Sequence, residues 1–165
     1  MGNTSLLDAI SVVKENERLA LTKYAESVNK VNNPICKNLF EELSKFETYH
    51  FERLSALEKS LQETGEFIDY QGREFPLPPI LEIKVVDAPE QKSAMDIISG
   101  AMDLEKEASR AYADLSGQID DPRGHAMFER LAHEERLHYQ ALAKVYDHLN
   151  TFGTMKWVGH DLTKY

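Results

Sequence analysis

A chain that sets two glutamates and a histidine among the apolar positions of its helices has few ways to fold, and this sequence does so twice. Glu17, Tyr24, Glu47 and His50 recur as Glu105, Tyr112, Glu135 and His138, each displaced by 88 residues without a gap. The same offset aligns Ile10 with Ile98, Ala20 with Ala108, Pro34 with Pro122, Phe40 with Phe128, Leu43 with Leu131 and Leu54 with Leu142. Across positions 9 to 57, 13 of 49 residues are identical to their counterparts, several times the yield of composition alone. A repeat that preserves two carboxylates and an imidazole per copy points to a two-metal site on the axis relating the copies.

Hydrophobic spacing is helical almost everywhere. A first helix is expected from about Thr4 to Val31, with apolar residues at Ile10, Val13, Leu21, Tyr24 and Val28 and with Glu17 inside that stripe. Asn33-Pro34 breaks it, because a residue before proline is steered away from helical dihedrals. A second helix runs from about Pro34 to Gln62 along Leu39, Leu43, Phe46, His50, Leu54 and Leu57, and Gly65 stops it. A third is expected from about Gln91 to Gly117, and Asp121-Pro122 repeats the break, with Asp suited to a cap and Pro to the first helical position. A fourth follows from about Pro122 to Asn150.

Residues 63 to 90 have a different texture, with Pro76, Pro78, Pro79 and Pro89 and a β-favouring run, Ile83-Lys84-Val85-Val86. So long a connection is uncommon inside a compact domain unless it has structural work to do. Two helical hairpins, about 4–62 and 91–150, joined end to opposite end require such a crossover. The expectation is therefore an all-α four-helix bundle over residues 1–150. Residues 151–165 read as a short extension bearing Phe152, Trp157 and Tyr165, able to pack on the bundle or on a partner subunit.

The repeated carboxylates decide the chemistry. Glu15, Glu52, Glu107 and Glu134 lie off the apolar stripes and read as solvated, so substituting Glu107 or Glu134 is expected to leave metal binding intact. Glu17, Glu47, Glu105 and Glu135 sit on the core faces instead. Burying one unpaired carboxylate costs several kcal/mol even after relaxation, and four converging in a core are untenable without compensating charge. No Lys or Arg occupies equivalent stripe positions in both repeats, whereas two divalent cations would balance four carboxylates. Residues three apart on a helix are neighbours, so each Glu-x-x-His can reach one ion or a bridged pair. Mixed carboxylate and imidazole ligation suits iron or manganese better than calcium or structural zinc. For His50 and His138 the plainer alternative is a hydrogen-bonded core histidine. His125, His133, His148 and His160 read as ordinary residues.

Composition narrows the classes of function. Acidic residues outnumber basic ones, 28 to 19, for a net charge of −9, which speaks against a nucleic-acid partner. No apolar run approaches the roughly 20 residues of a membrane helix. Cys36 is the lone cysteine, so the chain offers no disulfide framework and no C-x-x-C pair. The first residues lack the basic region and apolar stretch of a signal peptide. A soluble, cytoplasmic protein is expected, with a homodimer as the expected assembly.

One Glu from each of two helices plus Glu-x-x-His from each of the other two resembles the ferritin-like di-iron carboxylate proteins. The order, with Glu-x6-Tyr on the first and third helices, is similar to the rubrerythrin branch over roughly residues 5 to 150. That resemblance implies two iron ions. Glu17 and His50 would be terminal ligands of one, Glu105 and His138 of the other, with Glu47 and Glu135 bridging. Tyr24 and Tyr112 become candidates to hydrogen-bond ligand carboxylates, plain core aromatics being the other reading. Two departures stand out. A full-length rubrerythrin carries a rubredoxin domain with two Cys pairs, and rubrerythrins place a further Glu three residues after the third-helix ligand, where this chain has Ala108. The resemblance implies an oxidoreductase that reduces hydrogen peroxide or dioxygen with electrons from an external donor such as a rubredoxin. The alternative is a non-enzymatic iron-binding or iron-handling bundle with incidental ferroxidase activity.

Overall fold

The computed structural model describes the backbone of residues 5–75 and 88–162, and the side chains of residues 5–75 and 90–150. Four helices make up the regular structure of the described residues: α1 (Leu6–Val28), α2 (Pro34–Glu63), α3 (Ala88–Gln118) and α4 (Pro122–Leu162). Each begins or ends where local chemistry dictates. The Ser5 side chain accepts from the Asp8 N–H at the start of α1. Asn33 accepts from Ile35 and Cys36 ahead of Pro34, and Asp121 accepts from the Arg123 N–H ahead of Pro122, so both copies start their second helix with the same cap and proline. α2 ends as Thr64 and Gly65 N–H groups bond back to Ser60 and Leu61. Gly65 has φ +73°, a left-handed conformation that glycine adopts without penalty.

Three helices differ in extent from the sequence expectation. α1 ends at Val28, short of Val31, as the Asn29 and Lys30 N–H groups bond back to Glu26 and Ser27. α3 starts at Ala88, with Pro89 in its first turn, where a missing N–H leaves no bond unmade. α4 continues to Leu162 instead of ending near Asn150; no proline follows Pro122 to break it. The Ile83–Val86 run, the prolines at 76, 78 and 79, and the side chains of Phe152, Trp157, His160 and Tyr165 lie outside the described residues.

α1 pairs closely with α2 and α3 with α4, as two antiparallel hairpins. Cross-hairpin hydrogen bonds fix how these pack: Tyr24 reaches Glu105, while Glu17 receives Tyr112. Moving forward along α1 therefore means moving backward along α3, and α2 and α3 run parallel. Such an arrangement needs the long crossover. The core is divided accordingly. One cluster joins the end of α1 to the starts of α2 and α3 and the α4 residues Leu142, Val145 and Leu149. The other joins Ile10 and Val13 to Leu54, Leu57, Tyr112, Phe128 and Leu131. Between the two apolar clusters lies the polar centre. No helix of the described residues is long and apolar enough to cross a membrane.

Leu43 and Leu131, repeat equivalents with no exposed surface, anchor one cluster each. Leu43→Ala should destabilise the fold by about 2–5 kcal/mol in urea unfolding, while Leu19→Ala, at a position 54% exposed, should change it little.

Candidate metal centre

Each of the four helices contributes at mid-length. Glu17 comes from α1, Glu47 and His50 from α2, Glu105 from α3, and Glu135 and His138 from α4, and all six are at most 2% exposed. Helical geometry turns the Glu-x-x-His pairs of α2 and α4 inward together. His50 Nδ1 lies 3.1 Å from Glu47, 3.2 Å from Glu135 and 3.4 Å from Glu17. His138 Nδ1 lies 3.1 Å from Glu47, 3.5 Å from Glu135 and 3.6 Å from Glu105. The potential ligand atoms form two groups, Glu17–Glu47–His50–Glu135 and Glu47–Glu105–Glu135–His138, each with its atoms within 4.8 Å of one another. Glu47 and Glu135 belong to both. The two imidazoles stack with their centroids 5.8 Å apart and planes inclined by 20°.

Tyr24 and Tyr112 both donate to carboxylates of this centre, across the hairpins and not within their own helices. The Tyr24 hydroxyl is 2.5 Å from Glu105 and the Tyr112 hydroxyl 2.7 Å from Glu17. Burial, then the facing carboxylates, hold both phenols well above their ordinary pKa, so they remain donors. On this α1–α3 side a cavity of about 450 Å³ reaches the carboxylates, walled in part by Leu19, Ala20, Leu104, Ala108 and Ala111.

The opposite side is closed by the crossover, and there one sequence expectation is corrected. Glu134 is not solvated: it is 1% exposed. Its carboxylate accepts from the Tyr70 hydroxyl at 2.7 Å and the Arg73 N–H at 2.6 Å, and it lies 3.7 Å from Arg130 Nε and 3.9 Å from His50 Nε2. Helical spacing puts Glu134 on one line with Met127 and Ala141, both of them buried. A signal was present in the repeat, since the 88-residue offset pairs Glu134 with Phe46, a residue on the apolar stripe of α2. Glu15, Glu52 and Glu107 are exposed, as the spacing implies.

The electrostatics follow from burial among like charges. Burial, then the charges of Glu135, Glu17 and Glu105, push the Glu47 carboxyl well above the usual carboxylate range. Burial and Glu135 raise Glu105 to about 8. Burial and Glu17 oppose ionisation of Glu135, yet its bonds with Glu105 and His138 hold it down, to about 2. Burial opposes protonation of the imidazoles, but surrounding carboxylates, Glu17 first at His50 and Glu105 first at His138, raise both well above the ordinary histidine value. Without metal the centre is a proton-sharing cluster. Glu105 Oε2 and Glu135 Oε1 have no hydrogen-bond donor among the described residues, which leaves lone pairs for a cation. Four carboxylates with two imidazoles form a donor set suited to iron or manganese.

A four-helix bundle with a long crossover and a buried carboxylate–histidine centre defines the ferritin-like class. Within it, this chain belongs to the rubrerythrin family: the family model described as Rubrerythrin matches residues 8–146, both repeats included. Comparison with curated proteins and with solved structures gave no match.

Substitution separates the roles. Glu47→Ala or Glu135→Ala should lose both metals, since each carboxylate belongs to both groups, while exposed Glu107→Ala should keep the wild-type complement by elemental analysis. Full occupancy in Glu47→Ala would contradict the shared role.

A second prediction concerns pH. Groups raised in the fold bind more protons than in the unfolded chain. The metal-free protein should therefore lose stability as pH rises from the ordinary carboxylate value of 4.5 towards about 8 through Glu105, with the raised histidines acting in the same direction. Metal displaces those protons, so the melting-temperature gap between loaded and metal-free forms should widen with rising pH and narrow on acidification. Equal melting temperatures near neutral pH would argue against a buried metal cluster.

Proposed function

We propose that the protein is a di-iron oxidoreductase of rubrerythrin type, reducing hydrogen peroxide or dioxygen with electrons from a separate carrier such as a rubredoxin. The observation that carries this reading is the pair of ligand groups sharing Glu47 and Glu135 at the bundle midpoint. In this reading Glu17 and His50 complete one iron position, Glu105 and His138 the other. Bound iron would supply two electrons at one place, the number that converts one peroxide and two protons into two waters.

The chain's own residues do the rest. Tyr112 and Tyr24 orient Glu17 and Glu105 from the opposite hairpin, one hydroxyl per outer carboxylate. Apolar packing above and below the centre excludes water along the bundle axis. The α1–α3 cavity is the route by which a small oxidant would reach the carboxylate side. Cys36 is buried, its thiol pushed up to about 11 by burial, and it is the only cysteine of the 165 residues, so reducing equivalents come from outside them.

One observation favours the second reading, an iron-binding bundle without a peroxidase role. Ala108 stands in the cavity wall one turn beyond Glu105, where rubrerythrins carry a further Glu. If that carboxylate supports fast turnover, the wild-type protein should consume peroxide slowly and Ala108→Glu should raise the rate several-fold. The cavity gives the longer side chain room without overpacking. Peroxide decay is to be compared for both proteins with one reduced rubredoxin as donor and with iron content verified. A folded, iron-loaded variant that gains nothing over a slow wild type would favour iron handling over peroxide reduction.

A further inference from the structure

The internal two-fold repeat makes the two ligand groups look equivalent, but their surroundings are not. Position 134 on α4 is Glu, and its repeat equivalent on α2 is Phe46. Each of these residues faces the histidine of the other hairpin. Glu134 lies 3.9 Å from His50 Nε2, the nitrogen turned away from the carboxylate cluster. Phe46 instead sets its ring edge-on to His138, with centroids 5.4 Å apart.

The crossover deepens this difference. It brings Tyr70 to within 6.2 Å of the His50 ring, centroid to centroid, and its hydroxyl donates to Glu134. At His138 it brings Phe75, whose ring centroid is 5.0 Å away and which also packs on Phe46. His138 Nε2 has no hydrogen-bond acceptor among the described residues. His50 Nε2 likewise has no direct hydrogen-bond acceptor among the described residues, but unlike His138 it faces a carboxylate, at 3.9 Å, the outer range of an ionic contact. Glu134 is itself firmly held. The Arg73 N–H and Tyr70 hydroxyl fix it, Arg130 lies along it, and a Cβ on Gly72 would collide with the Arg130 guanidinium.

A carboxylate behind the outer nitrogen of a metal-bound imidazole orients the ring and makes its other nitrogen a stronger donor. An imidazole whose N–H meets only aromatic rings lacks that support. We propose that Glu134 is a positioning residue for His50 and makes the two metal positions unequal, the Glu17–His50 position binding its ion more tightly than the Glu105–His138 position. The inference rests on the two-metal reading above. It adds that the second position is the exchangeable one, and that Glu134, held by the Arg73 N–H of the crossover, sets this order.

The test is anaerobic titration of the metal-free full chain with Co(II), followed by calorimetry and by the visible ligand-field spectrum. The wild type should show two separable binding events. Glu134→Gln keeps an acceptor for the Arg73 N–H but removes the charge behind His50. It should weaken the tighter event by about 10–100-fold, change the spectrum of the first ion bound, and leave the weaker event in place. Tyr70→Phe removes a crossover hydroxyl but keeps the carboxylate, and should leave the order of filling as in the wild type. Two ions bound in a single event of equal sites, or a Glu134→Gln titration indistinguishable from wild type, would overturn the inference while leaving the two-metal reading intact. Equal weakening by Tyr70→Phe and Glu134→Gln would also overturn it, because packing of the crossover would then be the cause. A wild type that binds fewer than two ions would sink the two-metal reading and this inference together.

Discussion

Four carboxylates buried at one point are the constraint around which the rest of this molecule is arranged. In a low-dielectric core their mutual repulsion is large, and their polar partners among the described residues are two histidines and two tyrosines. Protons can neutralise part of that charge, and the raised Glu47, Glu105, His50 and His138 show where they would sit. Cations neutralise it more completely. The two apolar clusters that flank the centre hold the helices against this repulsion, so stability and site are separated along the bundle axis.

Antiparallel α1 and α3 make the tyrosine bonds reciprocal. Tyr24 and Glu17 are two turns apart on α1, as are Tyr112 and Glu105 on α3, so each phenol meets the glutamate of the facing helix. Two cross-hairpin bonds of this kind tie the halves together where close helix-to-helix packing is sparse, since α1–α3 and α2–α4 approach each other far less than the helices within each hairpin. The gap that the centre occupies is thus spanned by polar side chains, and its α1–α3 side retains a cavity.

The crossover gives the centre two unlike faces. Its described part, up to Phe75, lies over α2 and α4 on the histidine side: Tyr49 donates to the Gln71 carbonyl, the Arg73 guanidinium covers the Tyr49 ring, and Phe75 packs on Phe46 and His138. A connection demanded by topology also closes one side of the site. It leaves the carboxylate side, at the α1–α3 face, with its cavity.

Much of this was legible in the sequence. Periodicity located four helices, the Asn33-Pro34 and Asp121-Pro122 caps located two of their starts, and the 88-residue repeat selected the six residues that the fold brings together. Those features are local or are copied between halves, so a linear reading can find them. Glu134 was not found, because its burial depends on a segment more than 60 residues away in sequence that covers one flank of α4. Which tyrosine meets which glutamate, and how far α4 extends, were likewise undecided until the hairpins were packed. Helical spacing fixes the face on which a side chain lies; only the tertiary structure decides what covers that face, and coverage determines whether a carboxylate is solvated or held behind a histidine.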